Sequence, residues 1–470
     1  MTQLKAPSPL LARIYRNFNE LAHYPAVFDG TRTLSYGELD RASSALASLL
    51  VEAYQDLEQG DEPLNAPAVC VRMPHSLENI VAWVASARAG IPYAPLALDW
   101  PEARVEKILN RCRAAVALTT PEIAGEWPWP PNIRVLDLCE LTRRFLKDKK
   151  TDMSNPVHYG ERVLYFIHTS GSTGEPKGVA VTHANVASQF PSLACYGMPP
   201  QGRMLHACAL SFDVSMGEVW AALLNGCSVV VASPQVFLDA ALYRKFASER
   251  GVDVGIIPTA VFNGLVMQDP AVFSPLKGLI MGGEAPNAEF VKIFLKTCPE
   301  TALFNCYGPA ECTVGAAAER LTEQSFAYPL LPAGFATPGA SLYILDDNLA
   351  ALAAGEKGEI CIGGDCVGLG YLGDVERTAA SFVRIPETGE RVYRTGDLGM
   401  MTHDGKLIVL GRMDDQVKIS GYRVSPAEII TEVMKLPGVS NAHVGVRQQE
   451  PPELMRIMSD YKTMQGVWFA

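Results

Sequence analysis

The chain has 470 residues, enough for about three structural units or one large unit with an appendage. Apolar residues make up 48% and charged residues 19%, which excludes a disordered chain. A net charge of −11 argues against non-specific nucleic-acid binding and against anchoring on an anionic membrane surface.

No run approaches the ~18 unbroken apolar residues of a membrane helix. The first twenty residues lack an apolar block followed by a small-residue cleavage site, so no secretory leader is expected. The eleven cysteines are scattered and contain no C-x-x-C spacing. They predict reduced, mostly buried thiols, no zinc site, and a cytoplasmic protein.

Taken in chain order, short apolar runs alternate with amphipathic stretches, the pattern of an α/β protein. Buried strands are predicted over 67–73, 114–120, 163–169, 228–233 and 302–307. Helix-spaced apolar residues fill 76–89 and 286–296. The charged stretch 147–152 reads as an exposed connector between two sheet-forming lobes. A strand-like run over 406–410 ends in Gly411-Arg412, which marks a boundary near residue 412. Beyond it, 416–419 and 442–446 alternate like strands. Ser425-Pro426-Ala427-Glu428 forms a capping box that should open a helix.

The run 163–169 feeds Thr169-Ser170-Gly171-Ser172-Thr173-Gly174, then Glu175-Pro176-Lys177-Gly178. Four hydroxyls and two glycines at a strand exit can wrap oxyanions, and Lys177 adds positive charge. The spacing is not that of a Walker A loop, and Pro176 and Gly178 around the lysine disfavour a helix start there.

Three further segments agree with phosphate chemistry. They are Asn305-Cys306-Tyr307-Gly308-Pro309-Ala310-Glu311, Tyr393-Arg394-Thr395-Gly396-Asp397, and Gly411-Arg412-x-Asp414-x-Gln416-Val417-Lys418. With TSGSTGEPKG, and with the early LSYGEL and AGIPYAP stretches, they resemble the adenylate-forming enzyme superfamily. Within it the chain is similar to an adenylation domain of a nonribosomal peptide synthetase over nearly its whole length.

The resemblance implies a two-step reaction. A substrate carboxylate attacks the α-phosphate of MgATP, and the acyl group then passes to a carrier protein's phosphopantetheine thiol. It implies that Thr169, Ser170, Gly171, Ser172, Thr173, Gly174 and Lys177 embrace phosphates. Tyr307 and Asn305 would lie against adenine, Asp397 would take the ribose hydroxyls, and Arg412 would support ribose or phosphate. Glu311 would hold Mg²⁺, and Asp414 would be the hinge of a mobile terminal lobe.

The same resemblance places Asp213 against a substrate α-ammonium, because a buried ammonium needs a counter-ion. The other pocket positions become Val214, Gly217, Gly255, Ile280, Gly282, Cys306, Val314 and Gly315. Glycines at four of the nine positions suggest a large, neutral pocket for a bulky amino acid, such as an acyl-hydroxyornithine of fungal siderophores. The family's terminal catalytic lysine has no counterpart, since Lys462 sits in an unrelated context. A truncated terminal lobe is therefore expected, with binding better retained than rate.

The fold expectation is a large α/β unit, residues 1–412, followed by a partial lobe, 413–470. The large unit should hold two mixed sheets and a β-rich portion near 332–412. Partners would be the amino acid, ATP, a carrier domain outside the chain and neighbouring synthetase domains. Two alternatives are a free-standing acyl- or aryl-acid ligase using coenzyme A and a non-catalytic adenylate-binding remnant.

Overall fold

The computed structural model describes residues 8–55, 63–147, 162–169, 176–413, 417–419, 422–424, 429, 433, 439–447 and 456–463. Ser170, Gly171, Ser172, Thr173, Gly174 and Asp414 lie outside them, as do the capping box at 425–428 and most of the 147–152 connector.

Two mixed sheets dominate. One has nine strands, with a parallel centre contributed by Pro25–Asp29, Ser228–Val231, Arg203–His206, Val254–Pro258, Gly278–Gly282 and Ala302–Tyr307. The other has seven, parallel from Arg134–Asp137 through Val116–Thr119, Val69–Arg72 and Tyr93–Pro95 to Val163–Thr169. Its far edge turns antiparallel at Lys177–Thr182 and Gly370–Tyr371. A five-stranded antiparallel sheet follows, built from Ser341–Leu345, Gly358–Gly363, Phe382–Arg384, Arg391–Met401 and Leu407–Arg412. The β-rich portion thus starts at Ser341, because Phe335–Ala336 still pairs with the nine-stranded sheet.

The helix Leu77–Ala89 is buried on every side. It packs against strands of both large sheets, so even its polar Glu78, Asn79, Ser86 and Arg88 are buried. Ser76 caps its start, and Gly90, at φ +64°, takes the left-handed turn that ends it. Trp83 on this helix stacks on Tyr93 of the seven-stranded sheet at 5.2 Å. Trp220, on the helix Asp213–Leu224, donates its indole N–H to the Tyr93 hydroxyl at 2.8 Å. This aromatic column joins the two large sheets.

Gly411 and Arg412 continue the strand Leu407–Arg412 rather than ending it, because Arg412 pairs in register with Asp397. Beyond it lie two hairpins, Val417–Ile419 with Tyr422–Val424 and Val439–Arg447 with Arg456–Thr463. All eleven cysteines are free thiols, and most are buried. Among the described residues no helix is long and apolar enough to cross a membrane.

Candidate active site

The strand Val163–Thr169 is buried through its first six residues and delivers Thr169 to the wall of a cavity. Thr169 faces Lys177 across the antiparallel ladder, so the glycine-rich segment leaves and re-enters the sheet at one point. Lys177 begins a strand, not a helix. The Thr169 hydroxyl is buried and has no hydrogen-bond partner among the described residues. An unpaired buried donor is costly, so this atom fits a site for an oxyanion.

Three sheets meet at Lys177. Its ammonium lies 2.6 Å from Glu311 Oε1 and donates to the Tyr371 hydroxyl at 3.2 Å. Tyr371 donates to the same Glu311 oxygen at 2.8 Å, and Tyr393 of the antiparallel sheet stands 3.4 Å behind it. Lys177 and Glu311 are both buried. Burial, then the neighbouring Glu311 charge, holds the Tyr371 hydroxyl protonated far above its ordinary range. Tyr371 carried no signal in the sequence, because a tyrosine in a Gly-Tyr-Leu-Gly turn has no distinguishing spacing.

Glu311 sits in the short turn Ala310–Cys312. Its exit is strained: Thr313 and Val314 have φ of +56° and +75°. A β-branched residue rarely adopts that conformation, and such strain gathers at functional sites. Part of the fixing comes from the Thr313 hydroxyl, which donates to the Cys366 carbonyl at 2.8 Å.

A second charged cluster surrounds Asp397. Tyr307 donates its hydroxyl to one carboxylate oxygen at 2.5 Å, and Arg412 donates to the other at 2.8 Å. Arg412 also holds the Thr395 carbonyl at 2.7 Å. Gly396, between them, has φ +69°, and a Cβ there would stand 2.9 Å from the Arg412 guanidinium. Only glycine suits that place. Asn305 donates its amide to the Pro332 carbonyl at 2.8 Å. Asp397, Arg412 and Glu311 border the cavity, whereas Tyr307, Asn305 and Lys177 stand behind its wall.

The cavity has a volume of about 380 Å³ and joins these clusters to a deeper, apolar chamber. Asp213 opens the helix Asp213–Leu224 and is buried on the chamber wall. A carboxylate at a helix N-terminus lies at its favourable end. Val214, Ile280, Gly282, Cys306, Val314 and Gly315 line the same space. Among the described residues, the charged ones of the lining are Arg104, Asp213, Glu311, Asp397 and Arg412.

Gly255 does not join this group. A Cβ there would meet Tyr243, Leu279 and Leu205 in the core on the other face of the sheet, while its neighbour Ile256 lines the cavity. The period of two along a strand makes this a one-residue difference. The glycines do not each widen the chamber, either. A Cβ at Gly282 would lie 2.5 Å from the Cys306 carbonyl, so that glycine serves the strand pairing. A Cβ at Gly315 would press on Cys306 Sγ at 2.7 Å, and one at Gly217 would meet Val314 at 3.3 Å and Phe190 at 3.6 Å.

Behind Asp213 lies a buried polar network that has no sequence signature. Glu218, on the same helix, is 2.7 Å from His206 Nδ1 and accepts from the Cys208 N–H at 3.2 Å. The Cys208 carbonyl lies 2.8 Å from His75 Nε2. Burial pushes the Glu218 carboxyl up to about 8 and His206 down to about 3. Near neutral pH the pair is therefore uncharged, with the carboxyl proton donated to the imidazole. The network ties the segment preceding Asp213 to its helix.

One cleft brings together Thr169, Glu311, the Asp397–Arg412 pair and the buried Asp213 carboxylate. The chain belongs to the AMP-binding enzyme family, whose model matches residues 14–372. It is similar to syringomycin synthase SyrB1 of Pseudomonas syringae pv. syringae, at 32% identity over 94% of this chain and 71% of that one. It is 31% identical to gramicidin S synthase 2 of Aneurinibacillus migulanus over 86% of this chain and 9% of that one. The chain spans between 8% and 16% of the length of four such synthetases. The solved structure of holo-PA1221, a synthetase protein containing adenylation and carrier domains, superimposes with a TM-score of 0.86, at 27% identity over 98% of this chain and 78% of that one. AMPPNP-bound FmoA3 gives 0.77 at 25% identity, over 88% of this chain and 44% of that one. By this kinship the chain is an adenylation domain of the nonribosomal peptide synthetase kind, an ATP-dependent adenylating ligase.

Proposed function

We propose that this domain selects a bulky, largely neutral α-amino acid, activates it with MgATP, and passes it to the phosphopantetheine thiol of a carrier protein. In the first step a carboxylate oxygen forms a bond to the α-phosphorus, the bond to the bridging oxygen breaks, and pyrophosphate leaves. Positioning and charge neutralisation supply most of the acceleration.

The sequence resemblance and the site together support these roles. Thr169 and Lys177, with the 170–174 segment, hold phosphate oxygens. Asp397 exchanges its Tyr307 and Arg412 contacts for the ribose hydroxyls, and Tyr307 and Asn305 flank the base. Among the described residues no three His, Cys, Asp or Glu side chains converge into a metal cage. A magnesium ion would instead take one oxygen from Glu311 and others from the phosphates, the pattern this ion favours. When bound it supplies charge neutralisation on the phosphate oxygens. The hinge role falls to Asp414, and the lobe after residue 412 would rotate about it for transfer.

One observation carries the amino-acid assignment: Asp213 is a carboxylate buried in a chamber whose inner walls are apolar. A substrate ammonium entering the chamber would find its counter-ion there. The test is pyrophosphate exchange by the full-length protein with matched acids that do or do not carry an α-amino group. Exchange should require the amine, and Asp213→Ala should abolish it while ATP still binds. Equal turnover of the deaminated acids would point instead to an acyl- or aryl-acid ligase. ATP binding without any exchange would point to an inert adenylate-binding domain.

A further inference from the structure

The resemblance gives Gly217 to the substrate pocket, yet Gly217 does not border the cavity. Two side chains stand over it. A Cβ at Gly217 would meet Val314 Cγ1 at 3.3 Å and the tip of the Phe190 ring, Cζ, at 3.6 Å. Val314 and Phe190 both border the cavity, and Phe190 is only partly buried. The wall that a larger residue at 217 would build is therefore built by these two.

Residue 190 is fixed against the helix that carries Asp213. Its carbonyl accepts from Arg13 at 2.9 Å and from the Asn225 amide at 3.2 Å. Arg13 also donates to the Leu224 carbonyl at 3.2 Å, and Asn225 to the Ala221 carbonyl at 2.8 Å. Both donors tie Phe190 to the end of the helix Asp213–Leu224, and its ring reaches back to Gly217. Asp213 to Gly217 is about one turn, or about 6 Å at 1.5 Å per residue. An acid whose ammonium meets Asp213 and whose side chain follows the helix arrives at the ring after about that distance. Gly217 and Ala221 share a face of the helix, so the helix offers no bulk of its own there.

We infer that Phe190 is a specificity-determining residue: its ring, with Val314, closes the chamber over Gly217 and sets the length of substrate side chain that fits. The side chain ends in an apolar group against the ring. This rests on the amino-acid adenylation reading above and names the wall residue that measures its substrate. One methylene too many must displace a ring whose backbone is held at both ends of the contact, and a methylene in an apolar pocket is worth about 10–200-fold.

Pyrophosphate exchange by the full-length protein tests this, with straight-chain and branched α-amino acids graded by one methylene. The wild type should show a fall in kcat/KM of about 10-fold or more at the first methylene too many. Phe190→Ala should move that fall to longer acids and raise kcat/KM for the first excluded acid by about 10–200-fold. Phe190→Leu keeps an apolar side chain for folding and should move the fall less, in the same direction. ATP affinity, read by titration calorimetry, should stay the same in both variants, which separates recognition from general damage. An unchanged length profile in both variants overturns the proposal. An equal loss for every acid assigns Phe190 to packing and overturns it too. If the deaminated acids exchange equally well, the amino-acid reading itself falls, and this proposal with it, because the side chain is then no longer measured from Asp213.

Discussion

Glu311→Gln isolates the energetics of the phosphate cluster. The substitution keeps the shape and an acceptor for Tyr371, but it removes the Glu311 charge from beside the Lys177 ammonium. The two side chains are 7% and 1% exposed, so water does little to screen the pair. Removing one partner of a buried pair costs about 3–5 kcal/mol, because the other charge stays desolvated. At about 2.1 cal/mol/K per residue, 3 kcal/mol over a cooperative unit of roughly 400 residues lowers Tm by about 4 °C. Lys177→Met with Glu311→Gln removes both charges together and should recover most of that loss. Calorimetry of the nucleotide-free protein near neutral pH measures both variants. A double variant no more stable than Glu311→Gln, or a Glu311→Gln protein as stable as wild type, refutes the argument. The same single variant should also lose the extra stabilisation that Mg²⁺ adds to ATP.

Asp397→Ala should weaken ATP binding about 10–100-fold, the worth of one or two charge-assisted hydrogen bonds, and by the same factor whichever acid is present. Titration calorimetry decides it, and a loss that varies with the acid would remove Asp397 from the nucleotide site. Stability should peak near pH 6.5. Above that, Glu218, raised to about 8, loses its folded-state proton while the unfolded carboxyl is already ionised, so about 2 kcal/mol disappears between pH 6.5 and 8. Below it, His75, held at about 4, and His206, held at about 3, each favour proton uptake by the unfolded chain. Only one of these is offset by Glu218 until its unfolded pKa is passed. Glu218→Gln should flatten the alkaline side, and denaturation midpoints against pH would show whether it does.

Much of the architecture was legible because it is local. The strands Val163–Thr169 and Ala302–Tyr307 coincide with the predicted runs, since continuous apolar stretches bounded by polar turns leave little freedom of register. The helix Leu77–Ala89 announces itself by Ser76 and Gly90 at its ends. Its role did not follow so easily: helix-spaced apolar residues read as one buried face, but not as the wedge between two sheets. Gly255 shows the limit along a strand, where a shift of one residue exchanges the chamber for the opposite core.

The site was legible in its parts and hidden in its couplings. Lys177, Glu311, Asp397 and Arg412 are conspicuous as charges beside glycine-rich turns. That Lys177 would meet Glu311 under Tyr371 depends on three sheets converging, and no local pattern encodes a contact across 134 positions. The glycines were open to two physical causes, wall space or backbone approach. The 2.5 Å clearance at Gly282 shows that closeness of the strands decides that one. Glu218 illustrates the same point from the polar side. A carboxyl in a helix looks like surface until its neighbours are known, and its burial is what gives it a protonation state.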